Sequence, residues 1–585
     1  MIAPLYSPLN IQRLEIRLLH LLPGSETEEI SCELEQVSLQ NMPVYEALSY
    51  VWGDASNKVP IQLNGCSFHI TQNLHSALRG LRWTGEKRVL WVDAVCINQN
   101  DIPERSHQVS IMDKIYPAAA EVCVWLGDLS SSQVGPVAGL FEFLRFWAKE
   151  NRHISAMFSG VEDARWGYIS KGFSILVKSA WWKRMWVLQE ILLATSATLY
   201  LGPWSCSWKE IYDACNCYYH HRAFCCRGVF FPGVAIQWGN LMEETTRNDI
   251  NTTLYEAMDS MRVSERRATD PRDYVYGLLG VVKDEGLIPD YSLSVEQVYA
   301  RTTEQIIRET NTLDILCFRN NDCALDLPSW VPDWRVRVHG DVYSYSFHDE
   351  ALLVRLQHYH FSGVGVGTSH VYDDKILSVQ GLQLNTVLHV GELMTYDSAV
   401  SSLSTVLKSW QYLVHSVFAG DNRGDAEFWE TMAGDHAHLP QSTTEKQRIW
   451  RPVMEGDRRE LQHWWHTVVP SLDQHTRVPS KEIRSSPIVE ASMIFTHAKR
   501  FFRSDVGLMG MGPGQMRVGD EIFALAGGRM PFIMRPVEER VTTSDRSGEK
   551  VVPSYNLIGP CYIRGIMHEE ILRYHERPLS DVFIA

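Results

Sequence analysis

Several features are missing from this 585-residue sequence, and the first is a long apolar run. No uninterrupted apolar stretch approaches the roughly 20 residues that a membrane-spanning helix needs. The opening residues, Met1 to Pro8, show no charged start or apolar core of a secretory signal. The 12 cysteines are irregularly spaced, which fits reduced thiols better than a disulfide framework. These absences predict a cytoplasmic protein without a membrane span.

Clustered positive charge is also missing. The formal net charge is -15, and the 55 Lys and Arg residues are scattered along the chain. Affinity for a phosphate backbone requires basic residues that are grouped on one surface. Neither a basic helix nor a zinc-finger spacing is present, so we expect no nucleic-acid partner.

The sequence contains no Ser-His-Asp elbow, phosphate loop or dinucleotide fingerprint. A group of cysteines and histidines does lie between Cys206 and Cys226, and Cys217, His221 and Cys225 follow one another at helical i,i+4 steps. Strong zinc signals have paired C-x-x-C spacing, which this group lacks, and free cysteines are commonly small buried apolar residues. We therefore expect no structural zinc in this group and no metal or cofactor elsewhere.

The chain does contain a regular alternation of apolar strands and amphipathic helices. Four apolar segments, at 46–52, 89–97, 121–126 and 197–201, are separated by helical patterns. Strands without polar alternation are typical of parallel sheets that are buried on both faces. The order of elements predicts an α/β fold, in which these four strands are neighbours in a mainly parallel sheet with helices on both faces.

Changes of pattern divide the chain into four predicted regions. Residues 1–204 contain the α/β core at 45–202, residues 205–335 read as helical, and residues 498–585 alternate like a small C-terminal β unit. Residues 336–497 are an uncharacterised mixed region, with flexible loops expected at 419–446 and 470–487.

Four ordered motifs in the first region resemble the fungal heterokaryon-incompatibility (HET) domain. They are Tyr45-Glu-Ala-Leu-Ser-Tyr-Val-Trp-Gly53, Leu90–Gln99 with the following Glu104, Arg105, Gln108, Met112 and Tyr116, Val124–Gly127, and Arg184–Glu190. Weaker similarity continues at Asp270–Asp273 with Tyr276-Gly277, at Leu327–Trp334, and at Gly519-Asp520 and Gly565-Ile-Met567. The resemblance implies a fungal protein of non-self recognition and programmed cell death, with an incompatibility partner protein and self-association through the HET domain.

HET domains are in turn distantly similar to TIR domains, some of which cleave NAD. This resemblance implies a TIR-like, flavodoxin-like sheet and an NAD(P) glycohydrolase activity, with NAD as a substrate rather than a cofactor. Because the family-like motifs stop near residue 202 and the remainder is separately patterned, we also expect the death-inducing activity in the N-terminal third, with residues 205–585 restraining or triggering it. One departure from TIR domains is an insertion of roughly 129–178 before the last motif.

Ligands of open parallel sheets bind beyond the carboxyl ends of the strands. This rule predicts a set of substrate-binding residues that is rich in carboxylates, amides and glycine, as suits a ribose or a nucleotide. The set consists of Trp52, Gly53, Asp54, Asp93, Asn98, Gln99, Gly127 and Asp128.

The predicted helix 179–194 resembles the TIR helix in which a tryptophan precedes the catalytic glutamate. Trp186 and Glu190 are four residues apart, so they share one helix face, and Trp186 is expected to wall the substrate pocket. The carboxylate of Glu190 would stabilise the positive charge that develops on ribose as nicotinamide departs. The resemblance therefore assigns Glu190 as the catalytic residue.

Structural roles compete with each of these assignments. Glu190 could form an ion pair with Lys183 or Arg184, Asp93 could be a buried partner of Arg105, and Trp52 could be a core aromatic residue. Asn98 and Gln99 could cap the helix that begins near residue 103. At the level of function, the alternatives are a non-enzymatic signalling or recruitment module, or an accessory protein in regulation or specialised metabolism.

Overall fold

The computed structural model describes most of the chain, and its contacts form two compact units, Met1–Val295 and Glu296–Ala585. The described residues are 5–150, 164–214, 252–262, 264, 266–283, 286–318, 325–335, 356, 358–395, 400–416, 423–438, 450–467, 486–537, 541–545, 548–569, 571–574 and 578–585. None of the helices within these ranges is long and apolar enough to cross a membrane.

The first unit is built on a nine-stranded sheet. In chain order its strands are β1 (Glu15–Leu21), β2 (Ser31–Ser38), β3 (Glu46–Tyr50), β4 (Lys58–Leu63), β5 (Cys66–Thr71), β6 (Arg88–Trp91), β7 (Glu121–Trp125), β8 (Ala197–Leu201) and β9 (Trp204–Ser207). Their order across the sheet is β5-β4-β2-β1-β6-β3-β7-β8-β9.

The four predicted apolar strands are β3, β6, β7 and β8. They are neighbours and run parallel to one another, which confirms that part of the prediction. The sheet as a whole is mixed, because β1 pairs antiparallel with β2 and β6, β4 with β5, and β8 with β9. The prediction of a mainly parallel sheet was therefore wrong at both edges, where antiparallel pairs extend the parallel centre.

Helices and burial explain why the central strands lack polar alternation. The helices that the structure describes in this unit are α1 (Gln72–Leu81), α2 (Asp93–Cys96), α3 (Ile102–Ser110), α4 (Met112–Ala118), α5 (Ser131–Glu150), α6 (Ala164–Val177), α7 (Val187–Leu192), α8 (Leu254–Arg262) and α9 (Asp273–Leu279). In β3 the last four residues, Ala47 to Tyr50, are all buried, and in β7 the last four are as well. A strand that is covered on both faces must be apolar at nearly every position.

Two predicted elements are shorter than their sequence patterns suggested. The strand expected at 89–97 ends at Trp91, and the Asp93 side chain accepts a 2.7 Å hydrogen bond from the amide of Ala94 as α2 begins. Aspartate favours such local side chain–backbone bonds over a strand ladder. The helix expected at 179–194 is a 3-10 turn, Ala180–Lys183, followed by α7, which begins only at Val187.

The second unit begins with most of α10 (Val295–Thr310) and contains a second nine-stranded sheet. The strands of that sheet are β10 (Ser369–Tyr372), β11 (Ile376–Val390), β14 (Lys499–Ser504), β15 (Met509–Pro513), β16 (Glu521–Leu525), β17 (Phe532–Pro536), β20 (Ser554–Pro560), β21 (Tyr562–Ile563) and β22 (Ser580–Ile584). The pairs β12 (His436–His438) with β13 (Trp450–Pro452), and β18 (Val541–Asp545) with β19 (Gly548–Val552), form separate ribbons. The helices are α11 (Val400–His415), α12 (Arg423–Ala433), α13 (Glu455–Thr467), α14 (Pro487–Thr496) and α15 (Ile571–Tyr574).

Strand β11 organises this second sheet. Its 15 residues pair with β22, then with β16, and finally with β14. Because β16, β17, β20 and β22 also pair in that order, the β11–β16 ladder closes a ring of five strands. The C-terminal β unit therefore takes its longest strand from the region 336–497, in which no strand was predicted.

Candidate functional site

Glu190 lies inside the first unit, against the buried end of β3. Its side chain accepts a hydrogen bond from the hydroxyl of Ser49, and Ser49 in turn accepts a 2.7 Å hydrogen bond from the indole Nε1 of Trp181. Glu190 is only 2% exposed and Ser49 is fully buried. A carboxylate in such a position is costly unless a positive charge or several donors accompany it.

Arg184 provides that positive charge. Its Nη1 lies 3.4 Å from Oε1 of Glu190 and also donates to the main-chain oxygen of Tyr50. Burial lowers the pKa of Arg184, but the nearby carboxylates of Glu190 and Asp93 outweigh this effect, so the net shift is upward. The guanidinium therefore stays charged, and the structure confirms Arg184 as the ion-pair partner of Glu190.

Asp93 is a second carboxylate of the same group. Its Oδ2 accepts a 2.7 Å hydrogen bond from Nε1 of Trp52, whose side chain is 42% exposed. Burial raises the pKa of both Asp93 and Glu190, while Arg184 lowers the pKa of each. Ser49, Asp93, Arg184 and Glu190 are called the Glu190 cluster below. It combines two carboxylates and one guanidinium at the carboxyl ends of β3 and β6.

The alternative roles of Trp52 and Asp93 were wrong. Trp52 is not a core residue, since a large part of its surface is exposed. Arg105 does not pair with Asp93: its guanidinium lies 3.7 Å above the ring of Tyr291 and 3.8 Å from Asp270.

Asn98 and Gln99 follow α2 and support the loop below Asp93. The side-chain amide of Gln99 donates to the main-chain oxygen of Asp93 at 2.9 Å, and the main-chain amide of Asn98 donates to Glu104 at 2.7 Å. Neither residue caps α3, because Asp101 does so by accepting from the amide of Glu104. The capping role suggested for Asn98 and Gln99 was therefore wrong, and Gln99 stabilises the backbone that carries Asp93.

Four of the predicted residues lie in turns after the strands. Asp54 accepts hydrogen bonds from the amide and hydroxyl of Ser56 in its own turn, at 2.8 and 2.7 Å. Asp128 accepts from the hydroxyl of Ser76 on α1. Gly53 and Gly127 adopt positive φ values of 77° and 120°, which glycine tolerates best. These residues lie in the turns that follow β3 and β7, and within the described residues no hydrogen bond or ion pair joins Asp54 or Asp128 to the Glu190 cluster.

Trp186 and Glu190 bind different partners. Its Nε1 donates a 3.0 Å hydrogen bond to Oδ2 of Asp273 on α9, and the hydroxyl of Tyr291 donates to the other oxygen at 2.7 Å. Burial raises the pKa of Asp273 to about 6, although both hydrogen bonds lower it. Trp186 therefore ties α7 to the segment around α9.

Comparison with known proteins finds two family matches and one relative for this chain. Residues 45–190 match the family described as heterokaryon incompatibility protein (HET), and residues 478–584 match the Het-6 beta-barrel domain. A Neurospora crassa protein named heterokaryon incompatibility protein 6, OR allele, is 25% identical over an alignment of 668 residues, which covers 96% of this chain and 95% of that protein. This chain is therefore similar to the HET-domain proteins, and residues 45–190 are called its HET domain below. No solved structure matches it.

All four residues of the Glu190 cluster fall within the HET match, which ends at Glu190 itself. Residues beyond that match complete the surroundings of α7. The side chain of Gln189 donates to the main-chain oxygen of Tyr276 at 2.8 Å, and the amide of Met185 donates to Arg267 at 3.0 Å. The HET domain of this protein is thus packed against the segment that follows residue 264.

Sequence reasoning missed Ser49 and Asp273 as site residues. Ser49 is buried within the largely apolar strand β3, and a buried polar residue in such a strand needs a partner. Asp273 belongs to the Asp270-Pro-Arg-Asp273 motif, which was noted only for its resemblance. Both signals were present in the sequence, but the partners lie 141 and 87 residues away along the chain.

One group in the described part of the chain has the composition of a metal site. Ligand atoms of Glu46, Glu121 and Cys123 lie within 4.8 Å of one another. However, Nη2 of Arg88 lies among them, 3.1 Å from Oε1 of Glu46 and 3.1 Å from the Cys123 sulfur. Burial raises the pKa of Cys123 to about 12, so the sulfur is a thiol rather than a thiolate ligand. The guanidinium of Arg88 already balances negative charge of the carboxylates in this group. Most of the Cys206–Cys226 group lies outside the described residues.

Proposed function

We propose that this HET-domain protein is a fungal heterokaryon-incompatibility effector that acts in non-self recognition and cell death. The two domain matches lie in order along the chain, and the relative whose name carries this function is aligned over nearly its full length. The specific partner protein stays a prediction.

We further propose that the HET domain cleaves NAD or a related nucleotide at the Glu190 cluster. The observation that carries this proposal is the meeting of Glu190 and Asp93 at the carboxyl ends of neighbouring parallel strands, beside the exposed indole of Trp52. Open α/β sheets bind their ligands at this edge. An exposed aromatic ring can stack on a nicotinamide or an adenine, and carboxylates stabilise a ribosyl cation as its leaving group departs.

In the described conformation a substrate cannot reach the Glu190 carboxylate. Glu190 is almost fully buried, and Arg184 lies between it and the main chain of Tyr50. Cleavage therefore requires the link that carries Arg184, between the 3-10 turn and α7, to move and open a path to the carboxylate. The trigger of the effector would act on this link.

The second candidate is a non-enzymatic module that signals by self-association. The same burial favours it, because a carboxylate that is paired with arginine and bonded to a serine is also the arrangement of a structural ion pair. The two candidates differ in what Glu190 does, so one substitution separates them.

We expect expression of the full chain in fungal cells to lower cellular NAD and cause cell death. Glu190→Gln preserves side-chain size but not charge, and an amide cannot stabilise a developing cation comparably. The NAD loss should therefore fall by at least about 100-fold. The matched control is Glu86→Gln, an exposed glutamate outside the cluster, which should behave like the parent.

Circular dichroism of the purified variant should show that its fold is retained. A folded Glu190→Gln protein that kills as efficiently as the parent would contradict the enzyme and support the recruitment module. Death that depends on Glu190 without NAD loss would retain the enzyme but exclude NAD as its substrate.

A further inference from the structure

The second unit contains a cavity that the proposed function does not use. It encloses about 230 Å³ and opens between the end of α10, at Asn311 and Thr312, the loop 360–365, and the turn between β16 and β17 at Gly527 and Arg529. Among the described residues that line it there is no carboxylate. The lining consists of hydroxyl, amide, imidazole and guanidinium groups together with a glycine-rich backbone.

Main-chain hydrogen bonds fix the loop that forms one wall. The amide of Ser362 donates to the oxygen of Gly528 at 3.2 Å, and the amide of Gly527 donates to the oxygen of Val364 at 3.0 Å. Asn311 accepts from the amide of Val366 at 3.1 Å. A Cβ on Gly365 would collide with the side-chain nitrogen of Asn311, so only glycine fits at that position. The wall is therefore built by specific contacts on both sides.

The same loop leaves three consecutive donors unused. The main-chain amides of Gly363, Val364 and Gly365 donate to none of the residues that the structure describes. Gly363 has a positive φ of 68°, which turns the chain within this run. Successive amides in a turn of this kind form a concave site for an anion.

Arg529 contributes a charged donor to the lining of the cavity. Its Nε lies 3.3 Å from the buried Asp314, and its Nη1 donates to the main-chain oxygen of Leu356 at 3.1 Å. These contacts hold the guanidinium in place, while Nη2 has no partner within the described ranges and the side chain is 38% exposed. Asp314 offsets part of the positive charge but does not line the cavity.

We propose that this cavity binds a phosphate group, either as inorganic phosphate or as part of a small phosphate monoester. A phosphate presents several acceptor oxygens, which match the three amides and the free edge of Arg529. The volume is below the roughly 300–1,000 Å³ of sites for drug-sized ligands, so a whole dinucleotide does not fit. This inference is independent of any reaction at Glu190.

Isothermal titration calorimetry of the full chain tests the proposal, with inorganic phosphate and glycerol 3-phosphate as separate probes and acetate as the control anion. We expect saturable binding of at least one phosphate probe and weaker binding of acetate. Arg529→Gln should weaken phosphate binding by at least about tenfold, since it removes a charge-assisted hydrogen bond. Arg459→Gln, a matched change at a 74% exposed arginine outside the cavity, should leave the affinity unchanged.

His360→Ala provides a second variant, in case Arg529→Gln disturbs the fold. The His360 ring makes no hydrogen bond to the described part of the chain, so the substitution should preserve folding and weaken binding. Tighter binding of glycerol 3-phosphate would identify a phosphorylated metabolite, and tighter binding of phosphate would identify the free ion. The proposal is overturned if neither probe binds saturably, if acetate binds as tightly, or if folded Arg529→Gln and His360→Ala bind like the parent.

Discussion

Arg184→Met is expected to destabilise the first unit by about 3–5 kcal/mol at neutral pH, the cost of breaking a buried ion pair by removing one partner. Methionine preserves much of the side-chain volume but leaves Glu190 and Asp93 without their nearby cation. It also removes the donor to the main-chain oxygen of Tyr50.

The pH dependence of this variant provides a sharper test. Burial already raises the pKa of Glu190 above its usual value of 4.5, and Arg184 is a cause that lowers it. A carboxyl group whose pKa is higher in the folded than in the unfolded state stabilises the fold at low pH, and this contribution is lost as the pH rises through the folded-state pKa. The unfolding free energy of Arg184→Met should therefore fall more steeply than that of the parent as the pH rises above 4.5.

Urea denaturation at a series of pH values measures this effect. Arg79→Met is the matched control, because Arg79 is exposed on α1, and its effect should stay within about 0.5 kcal/mol. Combining Arg184→Met with Glu190→Gln should recover part of the loss, since one unpaired charge is removed. An Arg184→Met protein as stable as the parent at pH 7 would show that the ion pair contributes nothing to the fold.

The central parallel strands could be predicted from the sequence because their burial leaves a local signature. Strands β3, β6 and β7 are apolar at nearly every position, and glycines or aspartates mark where they end. The local patterns show neither that the antiparallel edge strands join this sheet nor the 15-residue β11, because the place of a strand in a sheet depends on tertiary contacts. The local pattern therefore predicted the centre of the first sheet but not its borders.

The same distinction applies to the candidate site. Trp52, Asp93 and Glu190 were found because each lies just beyond a strand end or within a recognised motif. Asp54 and Asp128 fit the same rule, yet each is bound to a serine nearby, and the sequence alone does not distinguish the two outcomes. The partners of Trp186 and Gln189 come from residues 273 and 276, which no local pattern connects to α7.

These distant partners determine where the chain can be truncated after the HET domain without loss of folding. A protein that ends at residue 210 contains every HET motif but loses Asp273, the main chain of Tyr276 and the main chain of Arg267, which bind Trp186, Gln189 and Met185. It also exposes Met185, which is fully buried and packs against Gly277. Leaving a buried donor without its acceptor costs about 1–3 kcal/mol. Three such losses approach the total stability of a typical domain, about 5–15 kcal/mol.

We therefore expect residues 1–210 to be insoluble or to lack a cooperative thermal transition, whereas residues 1–295, which correspond to the first compact unit, should fold and unfold cooperatively. Soluble yield and circular dichroism during heating measure the difference, with the full chain as the reference. Cooperative unfolding of 1–210 at the same temperature as 1–295 would show that the segment around α9 is dispensable. If the expectation holds, the prediction that the N-terminal part carries the death-inducing activity should be tested with 1–295 against 296–585. An inactive 1–210 fragment would then report lost folding rather than lost chemistry.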